Sequence, residues 1–79
     1  MKFRVEVMPK EEVLDPQGVA VEKALKKMQF ADVSKVRIGK AIDIEVSGTD
    51  AAASLAKIKV MAEKLLCNSN VERFKVSQL

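Results

Sequence analysis

The sequence contains no histidine, no tryptophan and no tyrosine, and a single cysteine, Cys67. One thiol rules out an internal disulfide. Without histidine or a second thiol, the usual ligand sets for zinc or an iron–sulfur cluster are missing. Serine–histidine and cysteine–histidine nucleophile sets fail for the same reason. The three glycines stand far apart at 18, 39 and 48, so no glycine-rich phosphate loop is present. Three phenylalanines are the only aromatics, and the positive charge is spread along the chain. Both facts argue against a nucleic-acid surface, which wants a basic stripe with stacking rings. No apolar run approaches the ~18 residues of a membrane span. The opening "MKFRVEVMPK" alternates in polarity and has no continuous apolar region, so it does not read as a signal peptide and a cytoplasmic chain is expected.

The chain has 79 residues, 48% hydrophobic and 32% charged, with a net charge of +3 and a pI near 9.2. One small domain of globular composition follows. At this length folding buries only roughly 60–65% of the unfolded surface. Small domains supplement such a core with disulfides, a metal or a partner. With the first two excluded, assembly with another chain is the expected supplement.

Phe3, Val5 and Val7 alternate with Lys2, Arg4 and Glu6, which predicts a half-buried strand closed by Pro9. From Pro16 the period changes. Val21, Ala24, Leu25 and Met28 fall at helical spacing against Glu22, Lys23, Lys26 and Lys27, predicting an amphipathic helix of about 13 residues. In "VSKVRIGKAIDIEVSG", two alternating runs flank Gly39 and read as a hairpin. A three-residue loop, Gly39-Lys40-Ala41, opposes Ile38 to Ile42 and Val36 to Ile44 and keeps one apolar face, so it is preferred to a two-residue loop. Thr49 or Asp50 caps a second helix, "AAASLAKIKVMAEKLL", with a stripe of Leu55, Ile58, Ala62 and Leu65 widened by Met61 and Leu66. Asn68 and Asn70 suit a left-handed end. "VERFKVSQL" supplies a last strand, with Phe74 and Val76 on one face. The order strand, helix, strand, strand, helix, strand predicts an α+β fold: a single-domain βαββαβ, ferredoxin-like antiparallel sheet with both helices on one face. The other face would carry Arg4, Glu6, Arg37, Asp43, Glu45 and Lys75, with Met8.

Three features are candidates for chemistry or contact. Asp43 and Glu45 share a strand face, but paired carboxylates do acid–base work only in a shaped cleft, so an exposed face is the simpler reading. Arg37, Gly39 and Lys40 gather positive charge at the hairpin tip. They read either as an exposed turn, with glycine at positive φ, or as a loop contacting an anion or partner. In "LDPQG", Asp15 suits an N-cap, Pro16 the first helical position, and Leu14 a hydrophobic staple against Val19. Gly18 has no such explanation, since alanine in an open first turn would favour the helix by ~1 kcal/mol. Its alternatives are a tolerated helix residue or a close approach of another backbone or side chain. Cys67 reads as a half-buried small hydrophobe at a helix end.

"VLDPQGVAVEKAL", then the R-x-G-K stretch with its alternating strand, then "EKLLCNSNVERFKV" together resemble the small PurS subunits of bacterial and archaeal phosphoribosylformylglycinamidine (FGAM) synthase. The resemblance runs over nearly the whole chain in unbroken order and implies one PurS-like domain over 1–79. Met28-Gln29-Phe30 departs from it, standing where many family members have a Leu-Gly-Phe-like turn. The resemblance implies a non-catalytic subunit in de novo purine biosynthesis. The enzyme makes FGAM from formylglycinamide ribonucleotide, ATP and glutamine, and the small subunit bridges the glutaminase and synthetase subunits and assists ammonia transfer. It implies a homodimer or dimer of dimers. No cofactor belongs to this subunit; ATP, magnesium and glutamine are used by its partners. No catalytic, cofactor or metal residue is assigned, and no nucleic acid or membrane is expected. The partner-contact candidates are Asp15, Gln17, Gly18, Arg37, Gly39 and Lys40. A second possibility is a βαββαβ module that senses a small molecule.

Overall fold

The computed structural model describes residues 1–79. Its elements are β1 (Lys2–Pro9), α1 (Pro16–Lys27), β2 (Lys40–Glu45), α2 (Ala51–Met61), a π-helical turn (Ala62–Leu66) and β3 (Glu72–Gln78). The sheet order is β2-β1-β3, antiparallel throughout. Phe3 stands opposite Ile44, and Val5 lies between Ile42 and Val76. These pairs gather the apolar alternation of all three strands on one face. α2 covers that face, so Phe3, Val5, Val7, Ile58, Ala62 and Cys67 form the buried core. The α+β class and the antiparallel sheet are as the alternation predicts.

The predicted hairpin does not form. Lys40 and Ala41 do not turn; they open β2 and pair with Val7 and Glu6. Residues 33–39 run straight into β2 and stay outside the ladder. Gly39 has no positive φ, the only such glycine being Gly48 at 123°. What Gly39 permits is contact: a Cβ there would strike the Val7 carbonyl oxygen and the Met8 sulfur. Glycine is used here for close strand approach, not for a turn.

The larger departure is α1. Its signals are sound: Asp15 caps it, Pro16 sits at its start, and Lys26 and Lys27 occupy its last turn. Yet Gly18 is its only buried residue, and no α1 side chain belongs to the core cluster or packs against it. The expected placement of both helices on one sheet face is therefore met by α2 alone. The shape agrees. The radius of gyration is 16.0 Å and the extents are 49 × 25 × 14 Å, where a compact chain of this length would have a radius of about 12 Å.

Two helix ends also differ from the prediction. α1 closes on Gln29, the one non-glycine residue at positive φ (76°). Phe30 N–H donates to the Leu25 carbonyl and Gln29 N–H to the Lys26 carbonyl, the paired bonds of a Schellman closure. The left-handed residue is thus Gln29, not Asn68 or Asn70; Asn68 instead accepts from the Asn70 amide at 3.2 Å. α2, capped by Asp50 through the Ala53 amide, ends in a π turn whose closing bond runs from Cys67 N–H to the Ala62 carbonyl at 2.9 Å. The wider turn breaks the 3.6-residue phase. Ala62 and Cys67 are buried, whereas Leu65, predicted on the inner stripe, is 84% exposed and Met61 also faces out.

Candidate functional site

The start of α1 and the segment before β2 meet at Asp15. One carboxylate oxygen accepts the Gly18 amide proton at 3.0 Å, closing the first turn of α1. The other accepts the Ile38 amide proton at 2.8 Å from a segment 23 residues away. A single buried carboxylate therefore ties helix start to strand approach. These bonds, Ile38 first and Gly18 second, hold the Asp15 carboxyl below the usual carboxylate range, while burial pulls the other way. Gly18 completes the junction. A Cβ there would collide with the Val36 carbonyl oxygen and lie 2.7 Å from Asp15 Oδ2. Of the two readings of Gly18, close approach is the one observed.

Arg37 closes the clamp from the other side. Its guanidinium donates to the Val13 carbonyl at 3.1 Å and the Lys10 carbonyl at 2.5 Å. It pins the loop between β1 and α1 instead of standing at a hairpin tip. The structure thus brings Asp15, Gly18 and Arg37 together, with Gln17 exposed beside them in the first turn of α1, and leaves Gly39 and Lys40 exposed outside the clamp. A shallow groove of about 300 Å³ beside the clamp is lined by Leu14, Val19, Glu22, Lys35 and Val36, among others. Leu14 and Val19 border the same groove, but Leu14 is 76% exposed, so the predicted staple buries nothing. The partners that sequence reasoning missed are main-chain atoms: the Ile38 amide and the carbonyls of Lys10, Val13 and Val36. No side-chain pattern marks them in advance.

On the open sheet face, Asp43 is engaged by Arg4 through two bonds, Nε–Oδ1 at 2.8 Å and Nη2–Oδ2 at 3.1 Å. That arginine holds the Asp43 carboxyl below its ordinary range. Glu45 lies 3.9 Å from the Lys2 ammonium. The two acids are cross-strand ion-pair partners on an exposed face. Burial pushes the Cys67 thiol up, and Glu72 adds to the shift, so the thiolate needed for reaction is disfavoured. No helix of the structure is long and apolar enough to cross a membrane.

Comparison with known proteins bears on the whole chain. A family model described as "PurS: Phosphoribosylformylglycinamidine (FGAM) synthase" matches residues 2–78. The phosphoribosylformylglycinamidine synthase subunit PurS of Bacillus subtilis is 42% identical over 74 residues, 94% of this chain and 87% of the relative. The PurS subunit of Thermotoga maritima is 33% identical over 78 residues, 99% of this chain and 95% of the relative. Among solved structures, one described as the structure of PurLQS from Thermotoga maritima includes a chain that superposes with a TM-score of 0.90 at 33% identity, covering 99% of this chain and 95% of that one.

Proposed function

The chain belongs to the PurS family of phosphoribosylformylglycinamidine synthase subunits, and from that membership we propose that it is the non-catalytic assembly subunit of that enzyme in purine biosynthesis. It joins a synthetase subunit to a glutaminase subunit and supports passage of ammonia from one to the other. ATP, magnesium and glutamine are handled by those partners, in the cytoplasm. The observation that carries this reading is a full-length likeness in sequence and fold that extends to a chain within a PurLQS structure. The site is in keeping with it. Asp15 and Arg37, the charged groups gathered at the start of α1, are committed to amides and carbonyls of their own chain. Such a junction fixes backbone; it does not move protons. Gln17 in the first turn of α1 and Lys40 at the start of β2 remain exposed as contact groups.

The test is reconstitution. The purified chain is mixed with the matching synthetase and glutaminase; assembly is followed by gel filtration with glutamine and ADP present, and activity by FGAM synthesis from formylglycinamide ribonucleotide, ATP and glutamine. Co-elution and activity should both require this chain. Equal glutamine-dependent synthesis without it would refute the assignment.

A further inference from the structure

β3 is the outermost strand on its side of the sheet, and its far edge pairs with nothing. The ends of its ladder with β1 fix which groups are left over. Lys10 N–H donates to the Val71 carbonyl and Leu79 N–H to the Lys2 carbonyl, each at 2.9 Å. Val71 and Leu79 therefore turn their main-chain groups toward β1, and by antiparallel alternation so do Arg73, Lys75 and Ser77. The residues between them turn theirs outward. The Glu72 amide donates to the Asn68 carbonyl at 2.7 Å. The amides and carbonyls of Phe74, Val76 and Gln78 stay open, about 7 Å apart along a straight edge. Natural edges are blunted by a proline, a bulge or a charge aimed at the inner face. Between its ends β3 has none of these. Its register with β1 is unbroken from Phe3–Gln78 to Pro9–Glu72, and its inner row is Phe74 and Val76. Both are only half-buried although they pack on the core.

From this we infer that β3 receives an extended segment of another protein as a further strand, one that alternates apolar residues with acids. Main-chain bonds to Phe74, Val76 and Gln78 supply the affinity, and the two rows of side chains supply the choice of segment. On the inner face, apolar residues of the segment cover Phe74 and Val76. On the open face it meets Arg73 and Lys75, both exposed. Lys75 has no ion-pair partner; Glu6 stands opposite it across the ladder without forming one. Beside these two bases the face dips into a shallow hollow of about 190 Å³, bordered also by Glu6 and Met8, with room for a carboxylate side chain. The same charges turn away a second β3. The register that pairs the whole strand with itself sets Lys75 against Lys75, and like charges directly opposite are destabilising. The identity of the donor rests on the assembly role proposed above: the segment belongs to one of the two larger subunits.

Hydrogen exchange on the whole assembly tests this. The isotope-labelled chain is combined with the matching synthetase and glutaminase in the presence of glutamine and ADP, exchanged in heavy water, quenched, and read residue by residue by NMR. In the free chain the amides of Lys75 and Ser77, turned toward β1, should exchange slowly and those of Phe74, Val76 and Gln78 fast. On assembly these three should slow by about a hundredfold or more. Gln78→Pro removes one outward amide and spares the ladder with β1. It should weaken assembly by about tenfold, whereas Gln78→Ala should not. Lys75→Glu should also weaken assembly, with the strand signal retained by circular dichroism. A complex that forms while the three amides exchange as in the free chain overturns the strand addition and leaves the assembly role standing. No complex at all overturns both. Slow exchange at the three amides already in the free chain, with a mass that grows with concentration, gives the edge to a second copy and overturns the assignment. The exchange pattern decides the matter even if Gln78→Pro fails to fold.

Discussion

Replacing Gly18 with alanine sets two opposed effects against each other at one atom. In an open helix, alanine gains ~1 kcal/mol over glycine by restricting the unfolded chain. At Gly18 the added methyl meets the Val36 carbonyl oxygen, which is main chain and has no rotamer to yield, and crowds Asp15 Oδ2 at 2.7 Å. Relieving such overpacking typically costs ~1–3 kcal/mol. It also pulls α1 from residues 34–39, stretching the bond between Asp15 and Ile38. The clash wins, with a net loss of about 1–2 kcal/mol. For a domain this size that lowers Tm by roughly 5–15 °C. Thermal melts by far-UV circular dichroism, at one fixed chain concentration because any partner binding shifts Tm, measure it. Ala20→Gly is the yardstick: Ala20 is exposed two residues further along α1, and glycine there should cost ~1 kcal/mol. Glycine should thus be preferred at 18 and disfavoured at 20. A Gly18→Ala protein melting at or above the parent temperature would refute the close-approach account.

Gln29→Gly should raise Tm by several degrees, since a side chain at φ 76° carries a left-handed penalty of about 1 kcal/mol that glycine avoids; an unchanged melt would show that the Gln29 side chain repays it. Asp15 contributes stability above the unfolded carboxylate pKa of ~3.9, and because its folded value is lower, that contribution fades as pH falls below 4 toward the folded value. Asp15→Asn, whose amide must turn a donor toward one of two N–H groups, should be less stable than the parent at neutral pH and lose less on acidification, as read from denaturant midpoints at pH 3 and 7. Arg37→Ala frees two carbonyls and should lower Tm, whereas exposed Lys40→Ala should leave Tm within about a degree and instead weaken assembly by gel filtration. Cys67 should react with a thiol reagent many times more slowly in the native chain than in denaturant, because it is buried and its thiol is pushed up.

The elements were legible because period and capping are local. Alternation at Phe3, Val5 and Val7 and the Asp15-Pro16 start are properties of a few neighbouring residues, and the structure places β1 and α1 accordingly. The destination of α1 was not legible. An amphipathic stripe says that a helix must be covered, not by what. The hairpin failed for a related reason: the pairing pattern of Val36, Ile38, Ile42 and Ile44 is the same whether the partner strand belongs to this chain or to another. Gly39 fits a turn and a straight close contact equally well in sequence, and only the Val7 carbonyl distinguishes them. At the site, Asp15 and Gly18 were found as a helix start with an unexplained glycine. Their second role, gripping residues 36–38, lies in backbone atoms that no side-chain signature reports.

The core cluster holds six residues, and α1 adds none. A chain built this way sits close to the threshold at which burial offsets the entropy of ordering. Whatever covers α1 is bound by the folded form alone, so it acts as a ligand of folding. Uncovered, α1 is the element with least to hold it and the first to open; a partner seated on it would raise the stability of the whole chain. Unassembled chain would then be the form a protease opens first, at α1.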